Sequence, residues 1–371
     1  MQKSFNINSS TGSYAISVRK DILQEIAKSN KDSLYIVDEN LKNYIPNYLK
    51  KIIYIKANEK SKSLENIPSY IKKMKDYNLN RKSHIFGIGG GIIQDIATFS
   101  SSIYMRGIGW SYFPTTVLGM VDSCIGGKSA INLEDKKNLI GNFFPPQNIY
   151  IDLKFIKTLD IDHTIGGIFE AAKICYAKGE KEFNNFINIV GDSIYVDSDE
   201  IYKKLDFNKM ILLSLTSKKW FIETDEFDQK ERLLLNFGHT FGHAFESSTN
   251  YKISHGISVG YGMAVAIEVS KTMGFLNDEG KDYTDKILKF LKKTFSTIND
   301  MEKLKIKSFD YELYMEAFKN DKKHIKDKYK VILPCDDGSL RLVSLEKDKK
   351  IEKIFISSSE KYIKDFNFIE K

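Results

Sequence analysis

The chain has 371 residues, 42% hydrophobic and 28% charged, with a net charge of +7, the composition of an ordinary folded protein. Its lysine excess comes without the aromatic-interleaved Arg clusters of nucleic-acid binders, and no run approaches the ~18 apolar residues of a membrane span. Three scattered cysteines (Cys124, Cys175 and Cys335) and the lack of an apolar leader predict a cytoplasmic enzyme, long enough for two domains.

The first 160 residues alternate short apolar runs with helical patterns. Residues 33–37, 52–55, 84–88, 110–113 and 148–153 read as strands. Residues 40–49 and 64–77 carry apolar positions at spacings of three and four, as helices do. This alternation predicts an α/β domain with a mainly parallel sheet covered by helices, binding ligands at the carboxyl ends of its strands.

Gly87-Ile88-Gly89-Gly90-Gly91 closes one strand and opens a helix that carries Asp95 one turn in. Glycines there let a phosphate approach the N–H groups and positive potential of the helix start. Ile92 occupies the place of the third glycine of a dinucleotide fingerprint, so a tight turn explains the run equally well. Residues 113–142 read as a long irregular loop. Gly127-Lys128-Ser129 resembles the end of a P-loop, but Asp122 fills the position of its first glycine, which excludes that motif. The segment keeps one carboxylate (Asp122), three lysines (Lys128, Lys136, Lys137), Asn138 and several glycines. Loops of this length are uncommon unless functional.

From His163 onward helical periodicity dominates, and a boundary near residue 160 sets the domains at 1–160 and 161–371, packed closely about a cleft. Glu170 and Lys173 lie three apart on one helix face, ordinarily a surface ion pair. Further helices are expected at 208–222, 238–247, 259–273 and 311–319, and a hairpin at 329–333 and 339–343. The window 231–263 holds three of the six histidines. His239 and His243 share a helix face, and His255 from the next segment can join them at a metal. A bare H-x-x-x-H is more often a polar helix face, but Asn236, Gly238, Gly242 and Glu246 around it favour a ligand site.

Together, PTTVLGMVDSCIGGKSAIN, KKNLIG, the Glu170-Ala-Ala-Lys173 step, LNFGHTFGHAFE and the His-Gly at His255 resemble the 3-dehydroquinate synthase family, within the sugar phosphate cyclases. The resemblance runs from about residue 38 to 334. It implies a Rossmann-like NAD-binding domain followed by a mainly α-helical metal-binding domain. It matches Glu170, His239 and His255 to ligands of Zn2+ (or Co2+), and His243 to a phosphate-side histidine. Asp122, Lys128, Lys137, Asn138, Lys173, Lys218, Arg232 and Asn236 fall on substrate-contacting positions. Lys322 and Lys323 share a phosphate motif in which either lysine could act. Asp38, Glu59, Lys62, Gly90, Gly91, Asp95, Thr115, Thr116, Lys137, Thr158 and Leu159 match NAD-contacting positions. Arg106 matches an arginine that reaches the neighbouring subunit's site, which implies a homodimer.

The implied reaction turns 3-deoxy-arabino-heptulosonate 7-phosphate into 3-dehydroquinate and phosphate, a step of the shikimate pathway to aromatic amino acids. Lys218 and Arg232 suit the substrate's carboxylate. Departures at Gln94, Thr98, Cys124, residues 160–162 and Ile257 mark a divergent member, with Gln94 and Thr98 expected to shift the pyrophosphate. The alternatives are a cyclase for another sugar phosphate and a metal-dependent alcohol or glycerol dehydrogenase.

Overall fold

A computed structural model of the chain describes residues 3–10, 12–134, 136–194, 198–298 and 304–369. They fall into two compact units, Met1–Leu159 and Asp160–Lys371.

The first unit is an α/β layer structure. Its elements are β1 (Lys3–Ser9), β2 (Gly12–Arg19), α1 (Ile22–Ser29), β3 (Leu34–Asp38), β4 (Ile52–Ile55), α2 (Ile67–Asp76), β5 (His84–Gly89), α3 (Gly91–Ile103), β6 (Gly109–Pro114), β7 (Ile131–Leu133), β8 (Lys136–Ile140) and β9 (Asn148–Asp152). Seven strands form one sheet in the order β1-β2-β9-β6-β5-β3-β4. Its pairings are parallel except for the β1–β2 hairpin at one edge. Val37, Ile88 and Phe113 lie side by side across β3, β5 and β6, all fully buried. These strands are covered on both faces, so they read as continuous apolar runs without alternation.

Two expectations are corrected here. Residues 40–49 hold no α-helix, only a short 3₁₀ turn, Glu39–Tyr44, whose start is capped by the Asp38 side chain; Pro46 then stops any continuation. Residues 113–142 are not irregular either. They contain a π-helical turn, Gly119–Ser123, and the β7–β8 hairpin, whose register slips between Ile131 and Leu133.

The second unit is mainly helical: α4 (Ile161–Lys178), α5 (Glu180–Val190), α6 (Ser198–Lys204), α7 (Phe207–Thr224), α8 (His239–Ser248), α9 (His255–Thr272), α10 (Asp278–Thr297), α11 (Tyr311–Lys319), the hairpin β10 (Lys328–Cys335) and β11 (Ser339–Glu346), and α12 (Lys349–Asp365). Helix α9 is buried along almost its whole length, and α4 is buried from Thr164 to Tyr176. A helix apolar on every side belongs at the centre of its domain. Small residues set how closely these two pack. A Cβ on Gly256 of α9 would fall 2.4 Å from the Gly166 Cα of α4, and one on Gly262 would fall 2.0 Å from the carbonyl oxygen of Gly238, which precedes α8. The three helices therefore meet backbone to backbone. No helix among the described residues is long and apolar enough to cross a membrane.

Candidate functional site

In the first unit the candidate nucleotide residues cluster at one end of the sheet because parallel strands all finish there. Asp38 ends β3, Glu59 and Lys62 follow β4, Gly90 and Gly91 follow β5, Thr115 and Thr116 follow β6, and Thr158 and Leu159 close the turn after β9. Gly90 caps α3, and its Cα faces Thr116: an added Cβ would meet the Thr116 methyl at 3.0 Å. An added Cβ on Gly91 meets nothing within 4 Å. The Thr116 hydroxyl accepts from the Gly119 N–H at 3.0 Å, and the Thr115 N–H donates to Gly89 O.

Around this end runs a partly buried polar network. Lys62 Nζ donates to Asp95 Oδ2 at 2.9 Å and to Asn138 Oδ1 at 2.8 Å, while Asp95 Oδ1 accepts from the Ala130 N–H. Burial, only partly offset by Lys62, pushes the Asp95 carboxyl up to about 6. Asn132 donates to the Glu59 carboxylate at 2.8 Å and accepts from the Asn138 N–H at 2.9 Å. Sequence reading assigned Asn132 no role; its only signal was its place at the end of the SAIN motif. Lys137 is half-buried on β8, and Asn138 is exposed with a left-handed backbone. Lys128 is exposed over the Phe143 ring, and Asp122 is half-buried in the π-helical turn. Arg106 is exposed, on two successive left-handed residues, Met105 (φ 50°) and Arg106 (φ 68°).

The second unit brings Glu170, His239, His243 and His255 together. Glu170 comes from α4, His239 and His243 from α8, and His255 from the first turn of α9. Glu170 and Lys173 are no surface pair: both side chains are 2% exposed, with Lys173 Nζ 2.5 Å from Glu170 Oε2. The other oxygen, Glu170 Oε1, lies 3.3 Å from His255 Nε2 and 3.7 Å from His239 Nε2. The opposite nitrogens are held elsewhere. His239 Nδ1 donates to Phe237 O at 3.3 Å, and His255 Nδ1 lies 3.1 Å from Glu246 Oε2. Ligand nitrogens of the three histidines all lie within 4.8 Å of one another.

Electrostatics divides the rings. Burial, then the Lys173 charge, holds His239 well below its ordinary value. Burial would lower His255 as well, but Glu170 and Glu246 outweigh it and raise His255 to about 10. The field at His255 thus favours positive charge, while His239 is kept neutral. Two imidazoles and a carboxylate facing one buried point fit a zinc-like cation, and the Glu246 contact is the usual orienting partner of a ligand histidine.

Lys218 on α7 and Arg232 are buried, at 5% and 4% exposure. The Arg232 guanidinium donates to Glu226 O, and the loop before it is folded about Asp225, which accepts from the N–H groups of Gln229, Lys230 and Arg232. Asn236 is half-buried and donates to Leu233 O. Lys323 is half-buried against Asp321 at 2.7 Å, whereas Lys322 is exposed. Beyond burial, the Lys323 charge helps to depress both His239 and His243, which puts Lys323 on the histidine side.

Two family models match this chain: 3-dehydroquinate synthase N-terminal over residues 52–165, and 3-dehydroquinate synthase C-terminal over residues 157–324. The chain is 37% identical to the 3-dehydroquinate synthase of Dictyoglomus turgidum over 326 residues, 87% of this chain and 84% of that protein. It is similar in fold to 2-deoxy-scyllo-inosose synthase complexed with carbaglucose-6-phosphate, NAD+ and Co2+ (TM-score 0.81, 20% identity, 95% of this chain and 99% of that one). It is likewise similar to 2-epi-5-epi-valiolone synthase from Streptomyces hygroscopicus with NAD+ and Zn2+ bound (TM-score 0.75, 20% identity, 94% and 97%).

Proposed function

Because the chain belongs to the 3-dehydroquinate synthase family, we infer that it is a carbocycle-forming, phosphate-eliminating lyase of that type. It converts 3-deoxy-arabino-heptulosonate 7-phosphate to 3-dehydroquinate and phosphate, as a step of the shikimate pathway. The observation that carries this reading is the convergence of His239 Nε2 and His255 Nε2 on Glu170 Oε1.

When bound, NAD accepts and returns a hydride, and a divalent cation such as Zn2+ or Co2+ lowers the pKa of the alcohol being oxidised. Glu170, His239 and His255 would hold the cation. Asp38, Glu59, Lys62, Gly90, Gly91, Asp95, Thr115, Thr116, Lys137, Thr158 and Leu159 would hold the nucleotide, with its phosphates at the start of α3. Asp122, Lys173 and Asn236 would orient the sugar hydroxyls. Lys218 and Arg232, buried cations, suit the substrate carboxylate and favour a keto acid over a neutral sugar phosphate. Lys128, Asn138, His243 and Lys323 would bind the phosphate and stabilise its charge as it leaves. The protein's share is orientation and charge stabilisation.

The exposed Arg106 suits a homodimer in which it enters the partner's site. Each of its left-handed residues costs about 1–3 kcal/mol, a strain typical of functional turns. Three free cysteines suit the reducing cytoplasm.

The test combines the heptulosonate phosphate with the zinc-loaded protein and a trace of NAD+. Phosphate and 3-dehydroquinate should appear in equal amounts with no net NADH. Accumulating NADH would instead indicate a dehydrogenase, and phosphate release from only a neutral sugar phosphate would indicate a different cyclase.

A further inference from the structure

Gln94 was expected to disturb the bound pyrophosphate. In the structure its side chain is buried at 5% exposure and turned to the π-helical turn Gly119–Ser123. Gln94 Nε2 donates to Ser123 O at 2.7 Å, and Ser123 Oγ donates to Gln94 Oε1 at 2.7 Å. The carbonyl can only accept, which fixes the amide's orientation. All the polar atoms of the Gln94 amide therefore work on one residue.

The same turn is held at two other points. Its first N–H, from Gly119, reaches the Thr116 hydroxyl, and its closing N–H, from Cys124, reaches Gly119 O at 3.1 Å. Such a turn widens the helix by one residue and is seldom stable on its own. The next residue on α3, Asp95, clips the following segment at Ala130. Successive residues of α3 thus fasten the chain at Ser123, the immediate neighbour of Asp122, and again at Ala130.

We propose that Gln94 is a positioning residue: through its two-way bond with Ser123 it fixes the turn that presents Asp122 to the substrate. This rests on the role given to Asp122 above, so the test has one arm that does not depend on activity. Gln94→Met keeps the buried volume and removes both bonds; Ser123→Ala removes one. Amide hydrogen exchange of residues 119–124 should quicken about tenfold in Gln94→Met, with β5 and β6 unchanged. On the heptulosonate phosphate, kcat should fall about tenfold with NAD+ affinity unchanged. The double variant should be no worse than Gln94→Met alone, the non-additivity of a shared contact.

Unchanged exchange at 119–124, exchange quickened throughout the unit, multiplicative losses, or quickened exchange with full kcat would each overturn the proposal. If the unaltered enzyme does not turn the substrate over, the functional reading has failed and the exchange arm decides alone. Should Gln94→Met not fold, Ser123→Ala carries the same two measurements, with smaller expected effects in the same direction.

Discussion

Glycines mark both candidate sites, but for opposite reasons. At the start of α3, a Cβ on Gly91 would meet nothing within 4 Å; the protein has room for a side chain there and leaves it out. On α9, a Cβ on Gly262 would lie 2.0 Å from Gly238 O and 2.6 Å from Gly242 N; here the space is already taken by the protein's own backbone. The first absence suits the proposed nucleotide site, and the second serves helix packing, which draws His239, His243 and His255 together. The polar groups differ in the same way. Lys62, Asp95, Asn132 and Asn138 satisfy one another in the first unit. In the second, two ring nitrogens face one carboxylate oxygen, the arrangement proposed above to hold a cation.

The strongest way to break this contrast is Gly262→Ala. Helices α8 and α9 must separate, which should cost about 3 kcal/mol and weaken zinc binding; a denaturant midpoint equal to the parent's would contradict the packing account. Arg232→Ala comes next. Losing a buried, charge-assisted partner for the carboxylate should lower kcat/KM on the heptulosonate phosphate by about 2–3 kcal/mol, with zinc content unchanged. Equal turnover would remove the carboxylate assignment.

Gly91→Ala should leave the folding midpoint within about 0.5 kcal/mol of the parent, since alanine suits a helix, yet weaken NAD+ binding about tenfold through steric exclusion. A calorimetric titration showing unaltered affinity would make Gly91 an ordinary turn residue. The smallest effect is a titration. Burial raises the Asp95 carboxyl from 3.8 to about 6. A raised folded value means that its contribution to stability is full below 3.8 and is lost as pH rises through about 6. NMR of the Asp95 carboxyl in nucleotide-free protein should show a midpoint near 6. An ordinary midpoint would mean that the Lys62 pair outweighs burial.

What the sequence made legible follows from which signals survive burial. Strands β3, β5, β6 and β9 declared themselves as apolar runs, and α8 by its two histidines one turn apart. Helix α12 escaped notice because Ser357, Ser358 and Ser359 interrupt its apolar stripe, although Ser358 and Ser359 are buried. The β1–β2 hairpin was missed even though Ile7, Tyr14, Ile16 and Val18 alternate inward. The candidate metal residues were found by motif, but spacing alone made Glu170 and Lys173 a surface pair. Only the packing of α4 against α9 shows them buried. The roles of Asn132, Asp225, Gln94 and Glu246 depend on contacts across long sequence separations or irregular turns, where no periodic pattern exists to read.

The most direct test of the account is the zinc content of four single variants equilibrated at one buffered free-zinc concentration. Glu170→Ala, His239→Ala and His255→Ala should hold none, while His243→Ala, which removes a phosphate-side group, should hold one zinc per chain. Loss of zinc from His243→Ala, or full occupancy in Glu170→Ala or His255→Ala, would contradict the proposed ligand set.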